Sequence, residues 1–401
     1  MDFTLPPEAE RFRRLVRDFI EAEILPLEAD RSSWDAHENI AAAPLALARA
    51  KAKAAGLWAP QVPRERGGMG LTMVAQAAFY EEANRSIFGP VCLNCAAPDD
   101  GNMRVLSQAA TPRQQDRWLD PVVSGEVRSA FAMTEPAPGG GSDPAMIRTR
   151  AERRGGRWVV HGRKWFITGA AEAAHFILIA RVSDDPRKGL GAFLFHRDQP
   201  GWRVVRRIPI MGPEEHGGHC ELAFDGLEIA DDDVLLGPGD GLRLTQMRLG
   251  PARLTHCMRW LGLAKRCLEI AAEYAEARTG FGVRLAERET VQVAIGRCAA
   301  AIEVGRLLVM KAAWKLDAGE FARKEISLAK NHVADTLHLC ADTAVQVNGA
   351  RGYSKDTVAE WIYRYARQAR LVDGASEVHA MVLAGCHRRE GNGFWSWGHA
   401  A

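Results

Sequence analysis

Apolar residues recur along the chain with two different periods, and the change of period divides the chain into three parts. From Pro7 to about Gly125 they return every three or four residues, the spacing of amphipathic helices. Between about 128 and 236 the spacing becomes two, in short runs such as 157–161 that end at Gly, Asp or Pro turns. After the turn at 237–241 the helical spacing returns and continues almost to the C-terminus. The pattern predicts helices, then a small antiparallel β-domain, then a helical bundle.

The changes of period predict three domains in an α+β protein. Their boundaries are 1–127 for an N-terminal helical domain, 128–236 for the middle β-domain and 237–401 for the C-terminal helical bundle. Strands and helices do not alternate, and no GxGxxG motif follows a predicted strand. A dinucleotide, if one binds, is therefore not expected in a Rossmann crevice.

Composition and charge limit the kinds of partner that this protein is expected to bind. The 52 Lys and Arg residues nearly balance the 50 Asp and Glu residues, and the resulting net charge of +2 argues against nucleic acid or an anionic membrane as partner. No stretch reaches the roughly 18 apolar residues of a membrane helix, and Met1 to Glu8 lack the pattern of a signal peptide. Eight scattered cysteines are too few for a disulfide framework. We expect a cytoplasmic enzyme with reduced thiols.

Two short segments of the predicted β-domain combine large apolar side chains with hydroxyl groups. They are 131–136 (FAMTEP), followed by a glycine-rich turn, and 162–169 (GRKWFITG). The candidate side chains in and after these segments are Phe131, Met133, Thr134, Ser142, Phe166 and Thr168. Taken singly, each hydroxyl is a turn residue and each aromatic a core residue. Taken together, they suit a flat ring that needs hydrogen bonds at its edge and an apolar wall on one face.

These segments resemble the flavin-facing wall of the acyl-CoA dehydrogenase family. The resemblance extends to 94–99 (NCAAPD), 101–103 (GNM) and 248–259 (RLGPARLTHCMR), and it favours the branch that includes the kinase-fused mammalian members. It implies an N-terminal helical domain, a middle antiparallel β-barrel and a C-terminal four-helix bundle, with FAD bound between barrel and bundle. It also implies a homotetramer or homodimer, an acyl-CoA thioester as substrate and an electron-transferring flavoprotein as electron acceptor.

The resemblance assigns further cofactor residues to the bundle. Arg278, near Phe281 in RTGFG, matches the family arginine on the FAD pyrophosphate of a neighbouring subunit, a role that suits the fixed fork of a guanidinium. Gln346 and Gly349, in QVNGARGY, match a segment that lies along the partner's cofactor; Ala350 there departs from the family glycine. Glu377 aligns with a position near the FAD adenosine. The alternatives are a solvent-facing helix-end arginine and a solvated first-turn carboxylate.

The same resemblance assigns the catalytic base to Asp373, in the turn VDGASEVH. The family reaction removes a proton beside the thioester carbonyl and transfers a hydride from the next carbon to flavin N5, so the carboxylate must be desolvated and accurately placed. Asp373 is one methylene shorter than the usual glutamate. Its alternative role is a helix N-cap. Some relatives carry the base on an earlier helix, where Ala252 of this chain cannot serve.

Three residues are implied in substrate binding. Arg253 matches a family contact to the CoA part, with a plain surface arginine as the alternative, and Gly374 is expected close to the thioester, where a side chain would leave no room. Ser142 is a third candidate. Gly250 replaces an aspartate found in a relative. Related chains suggest longer or 4-substituted acyl groups, but the sequence does not identify the walls of the pocket.

The sequence therefore predicts an FAD-dependent acyl-CoA dehydrogenase that forms a trans-2-enoyl-CoA with Asp373 as base. Two alternatives keep the fold: nitroalkane oxidation or flavin-dependent hydroxylation with oxygen as acceptor, and a DNA-binding flavoprotein of the alkylation-response type. A third is a scaffold that has lost the base. Near-zero net charge weighs against DNA binding.

Other motifs give weaker signals. Cys92 and Cys95 form a CxxC pair with no second ligand pair at zinc spacing, which indicates buried helix cysteines. His216 and His219, beside Glu214 and Glu215, are interpreted as a solvated loop rather than a metal site. No GxSxG elbow or Walker loop is present, and no metal is predicted.

Overall fold

The computed structural model describes residues 3–396. The outer ends of the first and last predicted domains, 1–2 and 397–401, lie outside this range. Within it, no helix is both long enough and apolar enough to cross a membrane.

The first part of the chain is helical. Thr72 begins one of its central helices by accepting a hydrogen bond at Oγ1 from the amide of Ala75, at 3.2 Å. The helices of this part are α1 (Pro7–Phe19), α2 (Leu25–Ala29), α3 (Ala42–Ala54), α4 (Met73–Ala83), α5 (Gly89–Cys92), α6 (Asp99–Ala109), α7 (Pro112–Gln114) and α8 (Asp120–Ser124). Helix α4 is buried along almost its whole length, because it packs against α1 and also against two helices of the third part of the chain.

The second part is a seven-stranded sheet. Its strands are β1 (Ser129–Ala132), β2 (Arg150–Arg154), β3 (Arg157–Thr168), β4 (His175–Arg181), β5 (Leu190–His196), β6 (Trp202–Arg207) and β7 (His219–Ala230). They follow the order β1-β4-β2-β3-β7-β6, with β5 on β4.

Most strand pairs are antiparallel, as predicted, but β1 runs parallel to β4 with Ser129 opposite His175, and β2 meets β4 in parallel at Arg150 and Arg181. The loop and the β2–β3 hairpin that separate β1 from β4 along the chain provide the long connection that a parallel pair requires.

The third part is the helical bundle. It consists of α9 (Gly241–Ala277), a small hairpin of β8 (Thr279–Gly280) and β9 (Val283–Arg284), then α10 (Glu289–Asp317), α11 (Arg323–Asn348), α12 (Ala350–Tyr353), α13 (Ala359–Ala366) and α14 (Ser376–Glu390). Helix α9 packs against α10 and α11, and it also packs against α4 and α6 of the first part. The predicted order of helices, sheet and bundle is confirmed.

A buried ion pair holds together the two sheet segments that the sequence singled out. Lys164 of β3 is fully buried, and its Nζ donates to the carbonyl of Met133 at 2.7 Å and to Glu135 Oε1 at 2.8 Å. Glu135 also accepts from the amides of Arg148 and Thr149, at 2.7 and 2.9 Å. Burial lowers the pKa of Lys164 to about 8, although Glu135 opposes this effect. The pair fixes the strand end after β1 against β3.

We expect Lys164→Met to lower the free energy of unfolding by about 3 to 5 kcal/mol, because it leaves the Glu135 carboxylate buried without its counter-ion. Urea denaturation measures this change. Lys188→Met, at an exposed position of the same sheet domain, is the control and should have little effect. A loss of less than about 1 kcal/mol for Lys164→Met would show that the pair is not a structural anchor.

Candidate active site

The two predicted segments lie side by side at one end of the sheet. The amide of Trp165 donates to the carbonyl of Thr134 at 3.0 Å, and Thr134 Oγ1 donates to the carbonyl of Trp165 at 2.7 Å. Met133 is buried next to this contact. The structure thus brings Met133 and Thr134 against the segment that contains Phe166 and Thr168.

Phe166 forms an exposed apolar wall at this end of the sheet. It lies in a β-bulge, where the register between β3 and β7 shifts between Lys164 and Ile167, and its φ is +51°. Positive φ is strained for a bulky residue, and bulges re-aim side chains beside functional sites. The side chain is 45% exposed. A large aromatic held outward by a strained backbone is a suitable surface for a flat ring.

Asp373 lies in the turn before α14, facing helix α9. Its Oδ2 is 3.4 Å from His256 Nε2 and 3.9 Å from Arg248 Nη1. The side chain is 18% exposed, but Oδ2 is buried and has no hydrogen-bond partner among residues 3–396. A buried carboxylate oxygen without a hydrogen-bond donor is unusual in a native structure, and such groups often have a chemical role.

The charges around Asp373 reduce its basicity. Burial alone would raise the pKa of this carboxyl, but His256, Arg248 and Arg253 outweigh that effect and hold the pKa well below its usual range. The carboxylate is therefore ionised throughout the neutral range. The carboxylate is desolvated as expected, but three basic side chains of one helix face it and together outweigh the effect of burial on its pKa.

Two side chains hold the turn in place by donating hydrogen bonds to its backbone carbonyls. Arg253 Nε donates to the carbonyl of Asp373 at 2.7 Å, and the buried Lys330 of α11 donates to the carbonyl of Gly374 at 3.2 Å. The backbone of Asp373 is left-handed, with φ +51°. Arg253 is only partly exposed, so the alternative of a plain surface arginine is wrong.

The geometry of this turn decides the alternative for Asp373 and explains the glycine that follows it. The N-cap position of α14 is Ala375 and carries no side-chain cap, so Asp373 is not the N-cap. Gly374 has φ +101°, and a Cβ there would lie 3.1 Å from His379 Nε2. The glycine is required by its backbone conformation and by this close imidazole.

Arg248 and His256 belong to the site although no role was predicted for them from the sequence. Arg248 packs its guanidinium over the Phe131 ring, 4.7 Å from the centroid, so it joins the sheet wall to Asp373. Residues 248, 252, 256 and 259 recur at the spacing of one helix face. The sequence did contain a signal for this site: one face of the mostly buried helix α9 carries two arginines and a histidine, with Ala252 among them.

Behind His256 a buried polar chain reaches the first part of the molecule. Arg259 Nη2 lies 3.3 Å from His256 Nδ1, and Arg259 Nη1 donates to Asp100 Oδ2 of α6 at 2.6 Å. Thr255 donates to the same carboxylate oxygen at 2.8 Å. Because a guanidinium only donates, Nδ1 is the accepting nitrogen and the hydrogen of the neutral imidazole is on Nε2, towards Asp373.

Within a single chain, the remaining predicted residues lie away from the Asp373 turn and from the sheet end with Phe166. Ser142 is exposed in the loop that follows the Glu135 segment. The others lie exposed on the bundle and in its β8–β9 hairpin: Arg278, Phe281, Gln346, Gly349 and Glu377. Phe281 is completely exposed at the tip of the hairpin. All these roles remain predictions, and those of Arg278 and of the Gln346 segment concern the cofactor of a neighbouring subunit.

The two weaker motifs have different outcomes. Cys92 and Cys95 are buried and free, as are the other six cysteines, and burial raises the pKa of Cys92 to about 12. The interpretation of His219 as a solvated loop residue is wrong: it begins β7 and is buried. Among residues 3–396, no group of three or more His, Cys, Asp or Glu side chains is arranged to hold a metal ion.

Comparison with known proteins matches the whole architecture. Residues 6–126, 130–227 and 239–385 match the models of the acyl-CoA dehydrogenase N-terminal, middle and C-terminal domains. The chain belongs to the acyl-CoA dehydrogenase family. It is therefore a flavin-dependent oxidoreductase by family, and the acyl-CoA dehydrogenase fold is confirmed.

Individual relatives support this assignment. The chain is 36% identical to the probable acyl-CoA dehydrogenase FadE2 of Mycobacterium tuberculosis, over 96% of each chain. It is 34% identical to acyl-CoA dehydrogenase family member 11 of Rattus norvegicus, of which it spans only 52%. Among solved structures, a putative acyl-CoA dehydrogenase from Mycobacterium abscessus has a TM-score of 0.91 at 34% identity, with 97% and 100% coverage. A glutaryl-coenzyme A dehydrogenase in complex with glutaryl-CoA has a TM-score of 0.86 at 27% identity, with full coverage of both chains.

The lowered pKa of Asp373 predicts a specific pH dependence of stability. A carboxyl whose pKa is lower in the folded state contributes stability that is present above its unfolded pKa and is lost as the pH falls below it. When the pH is lowered from 5 to 3.5, the free energy of unfolding should decrease in both proteins. We expect the decrease to be roughly 0.5 to 1 kcal/mol larger in the unmodified protein than in Asp373→Asn. Denaturant unfolding at several pH values, with Asp356→Asn at an exposed position as control, tests this. Parallel curves for the protein and Asp373→Asn would contradict the charge arrangement described here.

Proposed function

We propose that this protein is an FAD-dependent acyl-CoA dehydrogenase in which Asp373 removes the proton next to the thioester carbonyl, giving a trans-2-enoyl-CoA. The observation that carries the proposal is the buried Asp373 Oδ2, which has no hydrogen-bond partner in the described chain. The nearest polar atom is His256 Nε2 at 3.4 Å, so the oxygen keeps a lone pair that is available to take a proton from a bound substrate. Family membership supplies the reaction class.

The residues at the end of the sheet fit the proposed FAD. The exposed Phe166 offers an apolar face, and the Thr134 and Thr168 side chains lie at the same end of the sheet. When bound, FAD supplies the acceptor for the hydride that leaves the carbon beyond the one that loses its proton. The chain's own part is to hold the ring against this wall and to exclude water from the space next to Asp373.

The basic side chains of α9 have two roles in this proposal. Arg253, with Lys330 of α11, holds the turn so that the carboxylate keeps its place, which matters because small displacements of a base have large effects on rate. Arg248 and His256 hold positive charge and a hydrogen-bond donor beside the carboxylate. Both groups favour the ionised form of Asp373, so the carboxylate is in the state that can accept a proton when the substrate binds.

The proposed partners are an acyl-CoA thioester, an electron-transferring flavoprotein and further copies of the same chain. Large apolar side chains are exposed on the bundle and its hairpins, among them Phe281, Phe321, Tyr353 and Met381, and this supports a homotetramer or homodimer. In such an assembly Arg278 and Gln346 contact the cofactor of a neighbouring subunit. The free, buried cysteines support a cytoplasmic location.

We expect Asp373→Asn to bind FAD normally but to lose anaerobic flavin reduction by acyl-CoA, with the reduction rate falling about 10² to 10⁴-fold. The amide has nearly the same shape as the carboxylate but does not accept the proton. The measurement is stopped-flow absorbance of the flavin with a panel of acyl-CoAs that vary in chain length, branching and 4-substitution. Asp356→Asn is the matched control. Unchanged reduction by Asp373→Asn would refute the assignment of the base, and a flavin that no acyl-CoA reduces would refute the proposed reaction.

Mixed oligomers test the proposed contact between subunits. We expect Arg278→Ala to be inactive at limiting FAD because the pyrophosphate loses its guanidinium. If Arg278 serves a neighbouring subunit, refolded mixtures of Arg278→Ala and Asp373→Asn chains recover activity that neither variant shows alone. One subunit then supplies Arg278 and the other supplies Asp373 to the same site. Mixtures as inactive as their parents would place Arg278 in its own subunit's site or outside any site.

A further inference from the structure

A chain of close polar contacts runs away from Thr168, outside the Asp373 cluster. Thr168 Oγ1 lies 3.1 Å from His219 Nδ1, and His219 Nε2 lies 2.9 Å from Glu215 Oε2. Gln368, after α13, donates to Glu215 Oε1 at 3.1 Å. The chain therefore links the end of β3 to the bundle through one imidazole.

The glycines between the two histidines of the 216–219 segment make this contact. Gly217 and Gly218 both have positive φ, and a Cβ at Gly217 would lie 2.5 Å from the carbonyl oxygen of Gly169. The amide of Gly169 donates to the carbonyl of Gly218 at 2.7 Å. The loop can approach the β3 end this closely only without side chains, and the approach pairs His219 with Thr168 across the sheet.

We propose that His219 is a positioning residue that decides in which direction the Thr168 hydroxyl donates its hydrogen. This inference rests on the proposed function, in which Thr168 contacts the flavin. It deepens that function by identifying a group that controls the protein's hydrogen bond to the ring.

The protonation of His219 decides which of the two groups, the imidazole or the Thr168 hydroxyl, donates in their hydrogen bond. Nε2 faces a carboxylate, so it carries a hydrogen in both states of the imidazole. When Nδ1 has no hydrogen, it accepts from Thr168, and only the lone pairs of that hydroxyl are left for a ligand. When Nδ1 is protonated, it donates to Thr168 Oγ1, and the hydroxyl hydrogen turns towards the ligand. A bound flavin therefore meets an acceptor in one state and a donor in the other.

The groups around His219 favour the protonated state. Burial acts to lower the pKa of His219, but Glu215 outweighs burial and raises it above its ordinary value. The charged and titratable groups that face the pair are Glu214 and Arg207, which form an ion pair with each other, and Tyr365 of α13, which faces Glu215. Glu214 acts in the same direction as Glu215, and Arg207 acts against it.

The test measures the midpoint potential of the bound flavin against pH, without acyl-CoA, by dye equilibration. His219→Gln removes the titrating imidazole, so we expect it to remove an inflection that the unmodified protein shows. Glu215→Gln should move that inflection to lower pH, because the imidazole loses the carboxylate that favours its charged form. Thr168→Val should remove it with His219 still present. His196→Gln is the matched control, since His196 also faces a carboxylate, Asp198 at 3.4 Å, on the same sheet.

Each outcome has a definite meaning. Identical profiles for the unmodified protein, His219→Gln and Glu215→Gln would overturn the inference, while acyl-CoA reduction in the same samples would leave the proposed function standing. A protein that takes up no flavin would overturn both. Should His219→Gln fail to fold, Glu215→Gln and Thr168→Val decide the question. Nitrogen NMR of the protein with ¹⁵N-labelled histidine tests the inference without flavin. The neutral imidazole of His219 must carry its hydrogen on Nε2. A hydrogen on Nδ1 would contradict the inference.

Discussion

The rest of the site depends on the placement of the Asp373 carboxylate against three basic side chains of helix α9. His256 and Arg248 approach its Oδ2, and Arg253 holds the carbonyl of the same residue. The backbone at Asp373 is left-handed, a conformation that costs free energy and persists only when neighbouring contacts fix it. Lys330 supplies another such contact at the next carbonyl. The result is a desolvated carboxylate that stays ionised and keeps one oxygen free of hydrogen bonds.

Helix α9 can do this because it contacts all three parts of the fold. Arg248 lies over Phe131 of the sheet, donates to Asn102 Oδ1 of α6 at 3.3 Å and faces Asp373 before α14. Further along the same helix, Arg259 pairs with Asp100 of α6. Both charges of this second pair are buried, so removing one partner would leave the other uncompensated. Arg248 thus takes part both in joining the parts and in placing the base.

The sequence was sufficient for the element order, and its short motifs singled out the two sheet segments and Asp373, whose catalytic role stays a prediction. These depend on local periodicity and on short motifs, which are visible in a single chain. It did not reveal the parallel β1–β4 pair, the burial of His219 or the roles of Arg248 and His256. Each of these depends on residues far apart in the chain: Ser129 with His175, Thr168 with His219, and α9 with the Asp373 turn. A histidine that follows two glycines has the composition of a loop until its partner strand is known.

The most direct test of the account is whether Asp373 removes the α-proton of a bound thioester. An acyl-CoA with no hydrogen on its β-carbon, such as a 3,3-dimethylbutanoyl thioester, does not undergo hydride loss, so proton removal can be observed alone. The measurement is NMR of its α-hydrogens in D₂O with the flavin-loaded protein. We predict exchange of these hydrogens for deuterium with the unmodified protein and none above background with Asp373→Asn. Equal exchange with both proteins would contradict the central claim that this carboxylate is the base.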